Sequence, residues 1–290
     1  MKNNLSTIIV IMATFNRRER LHKAINSVIE QTCQTWKLII VDDGSSDGTK
    51  QYLESLSDSR ILTYSLKQNS GVNKARNKAI DIVQENNLEG FITLLDDDDT
   101  FHARCFEEII NIISQGHTLD RHWYTANCVR TDGSKISRIK NYGLSSYIYD
   151  YMYGNKIKGD VTHFISTHII KDIRFSTHFK NSEEWFFFSQ LAKENQLCTI
   201  NYDAKIVETL PTGLLSSKVN KDKKIEVLKY KLEMFKSFLP EKYTSLQIIS
   251  LANELAKTSR KEEARALLKT LSFRNRMRYK YLLAYLRCYY

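Results

Sequence analysis

The sequence predicts an α/β protein, a mostly parallel sheet with helices on both faces, followed by a C-terminal helical appendage. Three observations carry that expectation. Over the first hundred residues, continuous apolar runs alternate with segments of helical period. Polar and acidic clusters follow the apolar runs directly. After Ser217 the composition shifts to Lys, Arg, Leu and Tyr at helical spacing.

Thr7 to Ala13 is a near-continuous apolar run, as expected of a strand covered on both faces. Arg17 to Gln31 carries Leu21, Ala24, Ile25, Val28 and Ile29, an apolar helical stripe. Trp36–Val41 is a second buried strand, Asp47–Leu56 a short helix and Arg60–Leu66 a third strand. Val72–Val83 is helical, and Phe91–Leu95 is a fourth strand. Strand and helix in alternation specify a parallel sheet. Between Trp123 and Ile206 the pattern weakens, leaving strands near Trp123–Val129 and His163–Ile170 and a helix over Glu183–Glu194. A boundary near residue 217 separates a domain of residues 1–217 from a basic helical region, 218–290. The latter is broken near Pro240, with Ser245–Lys257 and Lys261–Leu271 expected as an antiparallel hairpin turning at Thr258-Ser259.

The chain has 290 residues, 42% hydrophobic and 26% charged, the balance of a soluble globular protein. Its five cysteines are odd in number and form no CxxC. That argues against both a disulfide framework and a cysteine zinc site, and points to a reducing compartment. Met1 to Ser6 leads into the first strand without the apolar core of an export signal. The apolar runs are far shorter than the roughly 18 residues of a membrane span. A cytoplasmic location is expected. The net charge of +10 suits nucleic acid, anionic lipid or phosphorylated small molecules.

Asn16-Arg17 follows the first strand, Asp42-Asp43-Gly44-Ser45 the second, and Asp96-Asp97-Asp98-Asp99 the fourth. In an open parallel sheet, ligands bind outside the carboxyl ends of the strands, so the three clusters gather on one edge. Adjacent carboxylates repel by about 1 kcal/mol per pair in water, and by more in a drier setting. A quartet at the end of a buried strand therefore needs a cation, and hard oxygen ligands suit Mg²⁺ or Mn²⁺ with substrate phosphates. The plainer reading is a solvated turn capping a following helix, a role open to Asp99. Asp42-Asp43 could mark a phosphorylated receiver domain. That would need the pair after the first strand and an aspartate after the third, where Leu66-Lys67-Gln68-Asn69 stands.

Ala13-Thr14-Phe15-Asn16-Arg17, Val41-Asp42-Asp43-Gly44-Ser45, Asn69-Ser70-Gly71 with Ala75-Arg76-Asn77, and Leu95 to Asp99 resemble, in order and spacing, the motifs of family 2 glycosyltransferases. The resemblance covers about residues 5–215. It implies the GT-A fold, a Rossmann-like arrangement, with a nucleotide-sugar donor, usually a UDP-sugar, and inverting transfer. It also places Ala13, Thr14, Phe15 and Arg17 around base and ribose, Asp43 on the uracil or ribose, and Arg76 and Asn77 near the donor. Asp96, Asp97 and Asp98 match the DxD element, with Asp98, helped by Asp96, as ligand of Mn²⁺ or Mg²⁺. Similar enzymes carry the general base in an acidic pair opening a helix. Glu184 matches the base and Glu183 its neighbour, with Glu where Asp is usual. The plainer reading of the pair is two acids favoured by a helix N-terminus. Thr209 to Ser216 lacks the family's late His, so no metal ligand is expected there. His163 and His168, in an apolar stretch, are expected in the core or at its rim.

The tail interleaves Arg274, Arg276, Arg278, Lys280 and Arg287 with Tyr279, Tyr281, Leu282, Leu283, Tyr285, Leu286, Tyr289 and Tyr290. That pattern fits an interfacial segment on anionic lipid, or a docking helix with a solvated cationic face. Without a nucleic-acid module, no nucleic acid is expected as a partner. Many enzymes similar to this chain build bacterial surface polysaccharide such as O-antigen on undecaprenyl-diphosphate at the inner membrane face. The resemblance thus implies transfer of Glc or Gal in β linkage to a lipid-linked sugar. A non-catalytic nucleotide-sugar module and a sugar-phosphate nucleotidyltransferase are the alternatives. The latter should carry a Gly-rich basic segment after the first strand, where Ala13 to Arg17 stands.

Overall fold

The computed structural model describes residues 7–115, 121–154, 156–179, 183–208, 221–277 and 279–289. The chain divides into two compact units, Met1–Thr209 and Leu210–Tyr290.

The first unit opens with β1 (Ile8–Thr14), α1 (Leu21–Ile29), β2 (Trp36–Asp42), α2 (Thr49–Glu54), β3 (Ile61–Ser65), α3 (Val72–Glu85) and β4 (Phe91–Leu94). There follow β5 (Thr100–Phe101), α4 (Cys105–Gln115), β6 (Trp123–Arg130), β7 (Arg138–Ile139) and β8 (Gly143–Ser145). A π-helical turn (Tyr147–Met152), β9 (Ile157–Lys158), β10 (Val161–Ser166), α5 (Thr167–Ile170), α6 (Trp185–Leu191) and β11 (Leu197–Val207) complete it. The main sheet runs β3-β2-β1-β4-β10-β6-β11-β5, with β8 also paired to β11, and β7-β9 forms a separate small sheet.

β1, β2 and β4 bury their apolar runs on both faces, as their sequences predict, while the edge strand β3 is only partly covered, with Thr63 and Tyr64 exposed. α1 lays Leu21, Ala24, Ile25 and Val28 on that core. Fully burying each of the three larger side chains contributes about 1.5–3 kcal/mol. β1, β2, β3 and β4 are parallel and in step, from Ile8↔Trp36 to Thr14↔Asp42 and from Ile8↔Phe91 to Ile11↔Leu94. β10 is antiparallel to β4 and β6 is antiparallel to β10, while β11 is parallel to β6. The C-terminal ends of β1, β2, β4, β6 and β11, with the N-terminal end of β10, therefore share one edge.

Three differences from the sequence expectations have physical causes. The strand expected over His163–Ile170 ends at Ser166, whose hydroxyl accepts from His168 N at 3.4 Å and starts α5. Asp99 caps no helix, because the chain continues as the short strand β5. β11 was not legible: its register against β6 shifts between Thr199 and Asp203 and again between Asp203 and Lys205, so its alternation is broken.

The second unit contains α7 (Lys221–Phe235), α8 (Glu241–Ala256), α9 (Lys261–Lys269), α10 (Phe273–Arg276) and α11 (Tyr279–Tyr289). Pro240 breaks α7 from α8, and α8 and α9 form the expected hairpin, with Ser259 in a left-handed conformation at its turn. Ile225, Leu251, Leu255, Leu268, Ala284 and Cys288 share its core. Among the described residues no helix is long and apolar enough to cross a membrane.

Candidate active site

The shared edge is built first from backbone. Gly44 has φ +76°, and a Cβ there would lie 2.6 Å from the carbonyl carbon of Gln68, so the β2 loop can press on the loop after β3 only with glycine. Asn16, also left-handed at φ +53°, accepts from Ser46 N at 2.9 Å, and its own N donates to Ser45 Oγ at 2.8 Å. Asp42 accepts from Ser45 N at 3.0 Å. Both oxygens of buried Asp43 are taken by backbone, from Ser70 N and Gly71 N at 2.8 Å each, at the start of α3. Asp43 is thus a clamp on the α3 entry, at the edge where the sequence expects it to face uracil or ribose.

The parallel register carries Thr14 level with Asp97, and the Thr14 hydroxyl donates to Asp97 Oδ2 at 2.7 Å. Arg17 Nε reaches the other oxygen at 3.3 Å. Half-buried Ala13 and exposed Phe15 flank this pair on β1 and its loop. Asp96 lies between two buried cations, with Arg76 Nη2 2.9 Å from Oδ1 and Lys205 Nζ 4.0 Å from Oδ2. The other end of the Arg76 guanidinium donates to Glu184 Oε1 at 2.6 Å. Asp99 Oδ2 meets Lys205 at 3.0 Å, and its Oδ1 accepts from Glu208 N at 3.2 Å. Lys205 also reaches Asp160, at 3.5 Å.

These pairings set the charges. Burial pushes Asp97 up to about 6, against the Thr14 hydroxyl and the Arg17 guanidinium that favour its ionised form. Burial also pushes Asp99 up to about 6, although Lys205 sits beside it. Asp98 is raised by burial and then by the charge of Asp96. Asp96 is lowered: burial opposes its charge, but Lys205 and Arg76 together outweigh burial. Lys205 is held well above the ordinary lysine value, because Asp160, Asp96 and Asp99 overcome the desolvation that acts against it.

The expected residues therefore fall into two groups. Thr14, Arg17 and Asp97 come together, as do Asp96, Arg76 and Glu184. Asn77 does not join them: it donates to Phe175 O at 2.9 Å and accepts from Phe175 N at 2.8 Å, a clamp between α3 and the segment before α6. Glu183, left-handed at φ +69°, turns its carboxylate to its neighbour's indole, Trp185 Nε1. Among the described residues no three metal-ligating side chains converge on a point, and Asp96 faces Arg76 and Lys205 rather than sharing a centre with Asp98. His163 is buried in the core and His168 is exposed, while Thr209–Ser216 lies outside the described residues. Lys205 and Asp160 are the residues that sequence reasoning missed.

Residues 9–171 match the family model Glycosyl transferase family 2, more than half of the chain, and the chain belongs to that family. It is therefore a glycosyltransferase. An uncharacterized glycosyltransferase of Haemophilus influenzae is 28% identical over 222 residues, 76% of this chain and 85% of that protein. The UDP-Glc:alpha-D-GlcNAc-diphosphoundecaprenol beta-1,3-glucosyltransferase WfgD of Escherichia coli is 26% identical over 192 residues, 66% of this chain and 72% of that protein. The crystal structure of S. aureus TarS 1-349 in complex with UDP-GlcNAc superposes with a TM-score of 0.64 over 96% of this chain and 79% of that one. At 19% identity that likeness concerns the fold, which is of the GT-A type.

Proposed function

We propose that this glycosyltransferase moves Glc or Gal from a UDP-sugar, with inversion to a β linkage, onto a hydroxyl of a sugar carried on a lipid diphosphate. The observation that carries this reading is the bridge Glu184–Arg76–Asp96, at 2.6 and 2.9 Å, which ties a carboxylate base to the acidic strand end. A binding module has no need of a base held there, and a nucleotidyltransferase needs a basic glycine-rich loop that Ala13 to Arg17 does not supply.

In this reading Ala13, Thr14, Phe15 and Arg17 line the nucleotide pocket, and Thr14 and Arg17 hold Asp97 toward it. Asp43 and Asn77 shape the pocket from behind through the backbone they clamp. Arg76 orients Asp96 and Glu184 together. Glu184 takes the proton of the acceptor hydroxyl as its oxygen bonds to the anomeric carbon; the bond from that carbon to the diphosphate breaks, and UDP leaves. Glu183, turned to Trp185, only tunes its neighbour. Asp98 offers one hard oxygen ligand of the kind that suits Mg²⁺ or Mn²⁺ completed by the donor's phosphates. Asp98 has no ion-pair partner among the described residues, its burial and the Asp96 charge favour a cation beside it, and Asp96 keeps 49% of its side chain exposed. When bound with the donor, such an ion supplies charge for the leaving diphosphate.

WfgD is named for a diphosphoundecaprenol acceptor, and by that likeness the acceptor of this chain is lipid-borne too. The exposed Phe273, Met277, Leu282 and Leu286 beside Arg274, Arg276 and Arg287 support a peripheral place on the anionic inner face of the membrane. The deciding experiment is a panel of nucleotide sugars tested with Mn²⁺ for protection against unfolding, then for transfer to a lipid-diphosphate sugar. Protection by UDP-sugars and product formation are expected. No protection by any uridine nucleotide would refute the donor assignment.

A further inference from the structure

We propose that the cleft lined by Arg130, Lys135, Arg138 and Lys158 binds the diphosphate of the acceptor. The inference rests on the reaction proposed above and names the groups that receive the acceptor's charge.

The cleft encloses about 330 Å³ and is completed by Ile136 and Gly159. Its place follows from strand direction. β6 runs parallel to β4 across β10, so Arg130 at its end lies on the same sheet edge as the acidic quartet. The chain turns there and returns with Lys135 bridged to Val129. β7 then pairs with β9, setting Arg138 directly opposite Lys158. Gly159, at φ +76°, passes so close to this segment that an added Cβ would meet Ile136 O at 2.0 Å. The next residue, Asp160, accepts from Ser137 Oγ through its carbonyl and touches Lys205 at 3.5 Å. The cleft is therefore fixed to the network that holds Asp96 and Asp99. It sits on the half of the sheet beyond β4, away from the β1 and β2 loops given to the nucleotide.

The charges in the cleft are not balanced from within. Like charges directly opposite in an antiparallel pair destabilise it, and β7-β9 is only two residue pairs long. Among the described residues no carboxylate lies within ion-pair distance of Arg138 or Lys158. Lys135 has Asp203 at 3.2 Å. Arg130 donates to Ser134 Oγ at 3.3 Å, and the adjacent Asp132 carboxylate accepts from Ser134 N at 2.8 Å. A diphosphate spreads its charge over several oxygens on two phosphorus centres. It can take both sides of an opposed Arg–Lys pair at once, with a guanidinium offering two parallel donors. In the proposed reaction the donor's diphosphate meets the quartet through a metal ion, so this second set of cations falls to the acceptor.

The test compares two acceptors of the same sugar, one on a short-chain lipid diphosphate and one on a neutral alkyl chain. In Arg138→Gln/Lys158→Gln the KM for the diphosphate acceptor should rise about tenfold or more. The KM for the neutral acceptor and for the donor should stay put, and the melting temperature should not fall. Binding of inorganic pyrophosphate to protein saturated with UDP should weaken in the same variant. Equal changes for both acceptors, or unchanged pyrophosphate binding, would overturn the proposal. Loss of binding to phosphatidylglycerol vesicles with an unmoved acceptor KM would also overturn it, by assigning the cleft to membrane headgroups. Pyrophosphate binding needs no turnover, so absence of transfer to any acceptor would refute the proposed reaction separately.

Discussion

Replacing Lys205 by Met removes the cation that three carboxylates share. Lys205 lies 3.0 Å from Asp99, 3.5 Å from Asp160 and 4.0 Å from Asp96. Their losses are unequal. Asp160 and Asp96 are 54% and 49% exposed and can turn to water, and Asp96 keeps Arg76. Asp99 is 5% exposed and, among the described residues, keeps only the Glu208 N–H. The cost is therefore that of one orphaned buried charge, toward the lower end of the range for a broken buried pair, about 3 kcal/mol. At about 2–4 °C per kcal/mol for a domain of this size, melting should fall by about 6–12 °C. Thermal unfolding followed by circular dichroism measures it. Lys205→Met/Asp99→Asn should recover most of the loss, because the orphaned charge is gone. A melting point of Lys205→Met within about 1 °C of the parent would show that the burial argument fails.

Glu184→Gln should lower the transfer rate by roughly 10²–10⁴ at unchanged UDP affinity, with Glu183→Gln milder; the reverse order would move the base to Glu183. Asp98→Ala, or a chelator, should abolish transfer and Mn²⁺-dependent UDP binding while the fold persists, and full activity in chelator would refute the metal assignment. Buried His163, neutral because burial pushes it down to about 3, makes stability fall as pH drops below its unfolded value near 6.5. His163→Gln, which can keep an acceptor for Trp123 Nε1, should lose about 2 kcal/mol less than the parent between pH 7 and pH 5, and parallel acid curves would contradict this. Phe273→Ser/Met277→Ser, at side chains 79% and 75% exposed, should weaken binding to anionic vesicles, as should added salt; vesicles ignored by the parent at low salt would end the membrane reading.

The parallel half of the sheet was legible because β1, β2 and β4 are covered on both faces and read as apolar runs between helical stripes. The edge site was legible for the same reason, since its motifs stand where those runs stop. What one sequence hides is which polar groups the backbone consumes. Asp42 and Asp43 are equivalent as letters, and only the turn at Ser70-Gly71 takes both oxygens of Asp43. Asn77 and Arg76 are neighbours, yet a helix sends them to different sides, one to the Phe175 backbone and one between Asp96 and Glu184. Lys205 was invisible because a lysine inside a strand normally marks a solvent face. The bulges in β11 remove the alternation that would have shown it pointing inward.

The quartet also explains why the site needs so many cations of its own. In three of the four aspartates both oxygens are engaged: Asp96 by Arg76 and Lys205, Asp97 by Thr14 and Arg17, and Asp99 by Lys205 and Glu208 N. Among the described residues Asp98 has no such pair, and burial and the Asp96 charge disfavour its bare ionised form. The resident cations thus offset the repulsion that would otherwise oppose folding of the strand end, and they leave one carboxylate available. An ion recruited there would act on the donor rather than on the fold. That division is why removal of metal is expected to cost binding and turnover while the melting temperature holds.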